Sequence, residues 1–360
     1  MTAPLVLTAA SADFQAARRL RNLPEGHRAL GLHGHGFAAT VYSELPADWA
    51  EFAGGEVQGL RARLQQCLRP LDYADLNGLM AEPGDAEIAL WIADSLAVPG
   101  LQRVALHSTP TQGVDLIPGA PLQAWRRYRF QAAHRLPRVA VGHKCGRMHG
   151  HAFEAIVHAS GVSPERIDEL WAPLQTQLNY QCLNEIEGLD NPTSELLSSW
   201  IWARLQPALL GLCGVTVFET GSCGAHFDGS DYRIWKEFTL DSAVRLRHAP
   251  QGSALRNLHG HTFTLRLHLQ APVDEVLGWT MDFGDVKQLF SPLFEALDHQ
   301  PLHEKPELTD GDTATIASWI LAQARPSLPS LARVDLYEAR GCGSLVGAAA
   351  AVAAGLAMPV

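Results

Sequence analysis

The sequence of this chain repeats itself, and the repetition limits the folds open to it more than any other feature. The tripeptide His-Gly-His occurs at residues 33–35, 149–151 and 259–261. A Trp-Ile pair inside an apolar helical pattern recurs with the same period of about 110 residues, and a short strand-like run follows each pair. The sequence therefore predicts three diverged copies of one structural unit within 360 residues.

The middle copy shows the order of elements within the unit. Aromatic and β-branched runs predict four strands, at residues 128–136, 149–160, 214–220 and 232–240. Two helices are predicted between the second and third strands, because Ser163-Pro164 and Thr193-Ser194-Glu195 are typical helix starts. The unit is therefore predicted to run ββααββ.

A four-stranded sheet with both helices on one face leaves two open edges, which a protein must cover or pair. Three such units can pair edge to edge and close the sheet. We therefore predict an α+β fold, a 12-strand antiparallel barrel with the helices outside. The predicted repeats and tail occupy residues 1–120, 121–240, 241–345 and 346–360, with linkers at residues 109–123 and 241–243.

Composition and charge restrict the class of protein. The chain carries 28 Lys+Arg against 38 Asp+Glu and a net charge of -10, which argues against binding the backbone of nucleic acids. Its N-terminus lacks the pattern of a secretory signal, and the apolar C-terminal run is too short and too rich in Ala and Gly for a membrane span. Six scattered cysteines predict reduced thiols, so we expect a cytoplasmic protein.

Histidines in the middle copy predict a metal site. His149 and His151 share one face of a strand, and His134 on a neighbouring strand can meet them, which gives three imidazoles and an open fourth position typical of catalytic zinc. The alternative is a polar strand face on which the histidines only pack. The periodic recurrence of the pair favours metal, and a second zinc motif is predicted from His248, His259 and His261.

Two further residue types could supply chemistry near these histidines. Cys145 lies between Lys144 and Arg147, and nearby cations lower a thiol pKa, so Cys145 is a candidate base or nucleophile; the alternative is an ordinary buried thiol. Glu219 falls on the apolar face of its strand, and Glu338 repeats this in the third copy. A carboxylate there needs a partner, either a protein Arg or a ligand edge with two N–H donors, such as a pterin or guanine.

The middle copy resembles the 6-pyruvoyl-tetrahydropterin synthase family, and within it the queuosine-pathway members that make 6-carboxy-5,6,7,8-tetrahydropterin. The stretches that carry the resemblance are FQAAHRLPRVAVGHKCGRMHGHAF, LNEIEGLDNPTSELLSSWIWARLQP and VTVFETGSCGAHFDG. The resemblance implies a tunnelling fold, zinc on His134, His149 and His151, and 7,8-dihydroneopterin triphosphate as substrate. It implies that Glu219 anchors the pterin ring, with Glu195 contributing to the pocket.

The copies depart from the family pattern in complementary ways. Family members carry a Gly-x-x-x-Asp-Phe stretch and an Asp-His pair that completes a Cys/Asp/His set. The middle copy has Asn179-Tyr180 in place of the pair, whereas the third copy keeps Asp298-His299 and the Asp-Phe stretch but has Leu255 where Cys145 would be. The first copy has Arg18 at the position of His134 and Ala29 at the position of Cys145. It has Tyr73 at the position of His299 and Ser108 at the position of Glu219.

These losses suggest one composite site per chain. Zinc, Cys145 and Glu219 would come from the middle copy, and Asp298 and His299 from a third copy, either in the same barrel or across a homodimer that mimics a hexamer of single units. Lys144 and Arg147 would face the triphosphate. Two alternatives remain open: a related pterin lyase, making 6-pyruvoyl-tetrahydropterin or an aldolase-type product, and a zinc- and pterin-binding scaffold without turnover.

Overall fold

The computed structural model describes residues 3–274, 277–308 and 310–354. The first third of the chain contains β1 (Leu5–Arg18), β2 (His33–Ser43), α1 (Glu56–Leu68), β3 (Ala74–Asp75), α2 (Asp85–Leu96), β4 (Leu101–Thr109) and β5 (Gln112–Leu116). The second third contains β6 (Gln123–His134), β7 (His149–Ser160), α3 (Pro164–Leu178), β8 (Gln181–Cys182), α4 (Ser194–Leu205), β9 (Leu212–Thr220) and β10 (Cys223–Phe227). The final third contains β11 (Tyr232–Val244), β12 (His259–Leu269), α5 (Phe283–Glu295), β13 (Gln300–Pro301), α6 (Thr313–Ala324), β14 (Leu331–Ala339), β15 (Cys342–Gly347) and α7 (Ala349–Ala354).

The twelve long strands form one closed antiparallel sheet. Its order is β10-β9-β7-β6-β5-β4-β2-β1-β15-β14-β12-β11, and pairing between β10 and β11 closes the ring. The two-residue strands β3, β8 and β13 pair in parallel with β1, β6 and β11. The predicted 12-strand barrel is confirmed, and closure removes the unpaired edges that three separate units would expose.

Side chains along each strand point alternately to the helix-covered outer face of the sheet and to the lumen of the barrel. In β7, Phe153, Ala155 and Val157 face the helices and are fully buried, whereas Glu154 and Ile156 point into the barrel lumen. The helices cover the outer face of the sheet through residues such as Trp171 and Ile201. Most of the apolar core therefore lies between sheet and helices, where burying one large aliphatic side chain contributes about 1.5–3 kcal/mol.

Both segments predicted to be linkers contain strand residues. Residues 241–243 lie inside β11, which is the first strand of the final third, and β5 occupies part of residues 109–123. Each His-Gly-His tripeptide begins a strand whose first residue pairs with the last residue of the strand before it: Arg18 with His33, His134 with His149, and Val244 with His259. The three tripeptides therefore lie at one end of the barrel, which we call the histidine end.

The opposite end of the lumen is filled and covered. Trp125 and Trp235 are fully buried there, and the guanidinium of Arg333 pairs with Asp335, which also accepts from His268. Helix α7 follows β15 at this end. Val352 of this helix is buried, and its backbone carbonyl lies 3.4 Å from Arg333 Nη1. Residues 355–360 of the predicted tail lie outside the described residues.

None of the helices formed by the described residues combines the length and the hydropathy required to cross a bilayer.

Candidate active site

Three imidazoles meet where β6 ends and β7 begins. The ring centroids of His134 and His149 are 4.5 Å apart, those of His134 and His151 5.3 Å, and those of His149 and His151 5.0 Å. Glu219, near the end of β9, joins them, and one ligand atom from each of the four residues lies within 4.8 Å of the others. The set could hold one metal ion.

Hydrogen bonds fix the orientation of two of these rings. His134 Nδ1 donates to the carbonyl of Pro192 at 3.0 Å, and His149 Nδ1 donates to the carbonyl of Arg147 at 2.8 Å. A carbonyl can only accept, so each Nδ1 carries the proton and each Nε2 keeps a free lone pair. Among the described residues, no hydrogen bond reaches the buried Nε2 atoms of His134 and His151. Burial also lowers the pKa of both imidazoles, which keeps them neutral, as zinc ligands must be.

The carboxylate of Glu219 is held at the inner wall of this site. Ser194 Oγ donates to its Oε2 at 3.0 Å, and its Oε1 lies 3.4 Å from His151 Nε2. One oxygen therefore faces the metal position while the other is fixed by the N-terminal turn of α4. No protein arginine pairs with Glu219 among the described residues, so the arginine partner considered from the sequence is absent there.

Cys145 lies on a 3-10 turn, residues Lys144–Gly146, just before β7. Its thiol is half-buried and faces the same cavity as Glu219. Burial raises the pKa of the thiol, with Glu219 and Asp282 adding to the effect, and Lys144 opposes it only in part. The lowered pKa expected from the neighbouring cations is therefore not produced by these protein groups.

A segment from the final third of the chain closes the site. Asn191 Nδ2 donates to the carbonyl of Leu277 at 2.7 Å, and Thr193 Oγ1 donates to that of Gly278 at 2.6 Å. Gly278 has φ +74°, and a Cβ there would lie 2.7 Å from Leu196 Cδ1, so only glycine fits this approach. The contact places the Gly-x-x-x-Asp-Phe stretch of one copy against the histidines of another.

Glu195 connects the middle copy to the third copy. Its Oε1 accepts the backbone N–H of Thr280 at 2.8 Å, and the side chain is buried at the start of α4. Burial raises the pKa of this carboxyl to about 7, partly offset by that hydrogen bond. A carboxyl poised near neutrality in the floor of a cavity can either accept N–H groups or hold a proton.

The resulting cavity has a volume of about 860 Å³ and is lined by both copies. The middle copy supplies the metal-site histidines at positions 149 and 151, and the predicted Lys144 and Arg147 also line it. Sequence reasoning missed several lining residues: Ser194, Cys223, Lys236, Trp279, Asp282 and Lys287. Asp282 and Trp279 belong to a stretch noted as a family feature, but a link to this cavity required knowledge of which copies are neighbours.

Asp298 and His299 lie elsewhere in the barrel. His299 Nδ1 bonds Asp298 Oδ2 at 2.8 Å, and Asp298 Oδ1 accepts the backbone N–H of Asp241 at 2.9 Å. His299 lies on an open surface beside β11 and β13, and neither His299 nor Asp298 lines the cavity around Cys145. Within one chain, the structure therefore does not bring the Asp-His pair to Cys145.

The second predicted zinc motif is only partly assembled. His259 and His261 are neighbours, with ring centroids 5.2 Å apart. The position equivalent to His134 holds Val244, and His248 instead pairs with Asp310 at 3.2 Å on an exposed loop. In the described part of the chain, the middle copy alone has three or more side chains within metal-binding distance.

Glu338 occupies the third-copy position that corresponds to Glu219. Gln58 Nε2 of α1 donates to its Oε1 at 3.0 Å. Burial raises the pKa of this carboxyl to about 7, and Arg61 opposes the shift. The carboxyl is therefore held between the first and third copies by protein groups.

The raised pKa of Glu338 makes folding pH-dependent. Since the folded pKa, about 7, is above the reference value of 4.5, the carboxyl's contribution is complete below pH 4.5 and is lost as pH rises towards 7. We expect the free energy of unfolding of the wild type to fall, relative to Glu338→Gln, by roughly 2 kcal/mol between pH 5 and 8. Urea unfolding at both pH values measures this difference, and parallel curves for the two proteins would contradict it.

The first copy has an ion pair where the middle copy has its cluster of histidines. Arg18, which takes the place of His134, pairs with Asp85 at 2.7 Å, and both side chains are less than a tenth exposed. Ser108, at the position of Glu219, donates to the second oxygen of Asp85 at 2.5 Å. A guanidinium thus stands where the middle copy gathers imidazoles, and its charge is balanced without a metal.

Breaking this buried pair is expected to be costly. Asp85→Asn leaves the Arg18 guanidinium buried without a counter-charge, so we expect a loss of about 3 kcal/mol in the free energy of unfolding. Chemical unfolding measures the effect, with Asp94→Asn on the exposed side of α2 as the matched control. A loss for Asp85→Asn no larger than for the control would show that the pair does not stabilise this junction.

Comparison with known proteins agrees with the repeated architecture. A sequence model described as 6-pyruvoyl tetrahydropterin synthase matches residues 123–230 and again residues 233–347. These two matches cover more than half of the chain and correspond to its second and final thirds.

Individual relatives each match about one third of the chain. The 6-carboxy-5,6,7,8-tetrahydropterin synthase of Synechocystis sp. is 31% identical over 121 residues, which cover 29% of this chain and 90% of that protein. The dihydroneopterin monophosphate aldolase of Pyrococcus furiosus is 31% identical over 114 residues, covering 31% and 93%. Among solved structures, Caenorhabditis elegans 6-pyruvoyl tetrahydropterin synthase aligns with a TM-score of 0.28 and 18% identity over 31% of this chain and 92% of that one.

Proposed function

The chain belongs to the 6-pyruvoyl tetrahydropterin synthase family, and from that premise we propose that it converts 7,8-dihydroneopterin triphosphate to 6-carboxy-5,6,7,8-tetrahydropterin in a zinc-dependent reaction of the queuosine pathway. The observation that carries the proposal is the cluster of three imidazoles and Glu219 at the wall of one cavity that Cys145 also lines. The match to the Synechocystis enzyme of that name supports the choice of product.

Zinc would be held by His134, His149 and His151, each of which offers one ring nitrogen within 4.8 Å of the others. When bound, zinc supplies Lewis acidity that makes the hydroxyl protons of the substrate side chain easier to remove. The carbonyls of Pro192 and Arg147 keep two of the rings in the required tautomer.

Two carboxyls would recognise the pterin ring. Adjacent N–H donors on the ring can pair with Glu219, whose position Ser194 fixes, and Glu195 lies beside it at the start of α4. Lys144 and Arg147 also line the cavity and would meet the triphosphate, with Glu338 left as a second candidate pterin contact in the third copy.

Cys145 would remove a carbon-bound proton from the substrate side chain, and His299 would deliver or accept the second proton. Asp298 accepts from His299 Nδ1, so Nε2 is the atom available for proton transfer. Because these two residues do not line the Cys145 cavity of their own barrel, we place the His299 that acts there in a second copy of the chain.

The surface of the histidine end supports such pairing. Leu32, Met148 and Leu258 precede the three tripeptides and are each more than half exposed. Tyr73 and Tyr180, in the positions that correspond to His299, are 86% and 81% exposed, and all three have positive φ. A repeated ring of exposed apolar side chains at one barrel end is typical of a protein interface, so we propose a homodimer of stacked barrels that mimics a hexamer of single units.

Complementation between two inactive variants tests the composite site. Cys145→Ala and His299→Ala are each expected to be inactive alone. If both variants are unfolded and refolded together, half of the dimers are mixed, and each mixed dimer has one intact site, so about a quarter of wild-type activity should return. Mixing without subunit exchange is the control. No recovery in mixed dimers confirmed by mass spectrometry would contradict the shared site.

The product separates this proposal from its alternatives. The Pyrococcus relative carries the name of an aldolase, which favours a side-chain cleavage as the second candidate. Mass spectrometry of the reaction of the zinc-loaded protein distinguishes a 6-carboxy product from a 6-pyruvoyl or cleaved one. Pterin binding without any product would favour a scaffold. The cytoplasmic location stays a prediction.

A further inference from the structure

The barrel lumen contains a second cavity at the histidine end. Its volume is about 300 Å³, and Arg127, Arg266, Arg340, Glu154 and His107 line it. Strand β9 forms a wall between this cavity and the one around Cys145: Phe218 faces the lumen, whereas Glu219 faces the opposite side. The lumen cavity is therefore a separate space that the proposed reaction does not use.

Positive charge in this cavity exceeds negative charge. Arg266 is matched by Glu237 at 2.5 Å. Glu154 is shared, because it lies 2.6 Å from Arg129 at the rim and 3.6 Å from Arg127 inside. Within the described chain, Arg340 has no carboxylate in ion-pair range. The cavity lining thus has three guanidiniums and one carboxylate, Glu154, while Glu237 pairs with Arg266 from outside the lining.

Arg127 and His107, inside the cavity, show the effect of the excess positive charge. Arg127 Nε is buried and has no hydrogen-bond partner among the described residues. Burial, together with the nearby guanidiniums of Arg103, Arg127 and Arg340, lowers the pKa of His107 to about 3. Uncompensated cations in a concave, partly desolvated space concentrate a positive potential, which attracts anions.

We propose that the lumen of the barrel binds a phosphate-bearing anion between Arg127, Arg340 and Arg266. Guanidinium groups suit this ligand because their N–H donors match phosphate oxygens in pairs. The free Nε of Arg127 and the unpaired Arg340 supply donors that no protein acceptor takes up. Inorganic phosphate and the triphosphate released by the proposed reaction share this chemistry, and both fit a cavity of this size.

Calorimetric titration of the zinc-loaded protein tests the site. Inorganic phosphate and tripolyphosphate are titrated separately, at low ionic strength and in a phosphate-free buffer, because screening weakens such contacts. We expect saturable binding of at least one of them, weakened about tenfold or more by Arg340→Ala and by Arg127→Gln. The stronger ligand of the two identifies the source of the anion.

Two control variants locate the binding. Arg63→Ala removes an exposed arginine from α1 and should leave the affinity unchanged. The double variant Lys144→Ala/Arg147→Ala removes cations from the Cys145 cavity, so lumen binding should survive it. The proposal is overturned if neither anion binds, or if binding is lost in the double variant but unchanged in Arg340→Ala and Arg127→Gln. These outcomes are independent of whether the protein turns over a pterin.

Discussion

Replacing Cys145 with alanine is expected to lower the turnover number for 7,8-dihydroneopterin triphosphate by about 10³-fold, because it removes the proposed proton-abstracting group. The thiol is half-buried and lines the cavity, so its loss should leave the barrel and the metal ligands in place. Steady-state kinetics with product detection by mass spectrometry measures the effect. Pterin affinity should change little, since Glu219 and Glu195 remain.

The matched control is Cys67→Ala, which removes a half-buried thiol from α1 in the first copy. It should retain wild-type turnover. If Cys145→Ala stays within about threefold of the wild type, proton transfer by a single positioned side chain is not the source of the rate, since such groups contribute about 10²–10⁴-fold.

The second large effect is expected on the amount of zinc bound per chain. The wild type should bind one zinc per chain, because the equivalents of His134 in the other copies are Arg18 and Val244. His134→Ala should reduce this to almost none and abolish turnover, since two imidazoles and a carboxylate no longer form the three-histidine set. Metal analysis by plasma mass spectrometry after dialysis measures both values.

His33→Ala is the control for the metal content, since it removes a histidine of the same tripeptide from the copy that holds Arg18. Its zinc content should equal that of the wild type. Two or three zinc ions per wild-type chain would show that the incomplete junctions also bind metal, and zinc retained by His134→Ala would show that this imidazole is not a ligand.

The barrel could be predicted from sequence because its evidence is periodic. The spacing of the tripeptides and the alternation within strands are properties of short segments, and edge pairing of equal units follows from them. Boundaries were less accurate because they depend on pairing partners: residues 241–243 were predicted as a linker but lie inside β11, where they pair with residues 260–262 of β12.

The sequence predicted mainly those parts of the site that come from the middle copy. His134, His149, His151 and Glu219 do converge, and their sequence signal is strand parity. Counting histidines upstream of the tripeptide suggested His248 for the third copy, but sheet register assigns Val244, which precedes His259 by the same number of residues as His134 precedes His149. Asp282 and Lys236 required knowledge of which copies are neighbours, because both come from the final third of the chain.

Helix α7 and the buried tryptophans lie at one end of the lumen, and the arginine-lined cavity lies towards the other end, beside the histidines. An anion would therefore reach that cavity from the histidine end. If two barrels meet at their histidine ends, as proposed, the two lumen cavities face each other. The release of a bound anion would then be slowed by the assembly, so its rate would report how long the pair lasts.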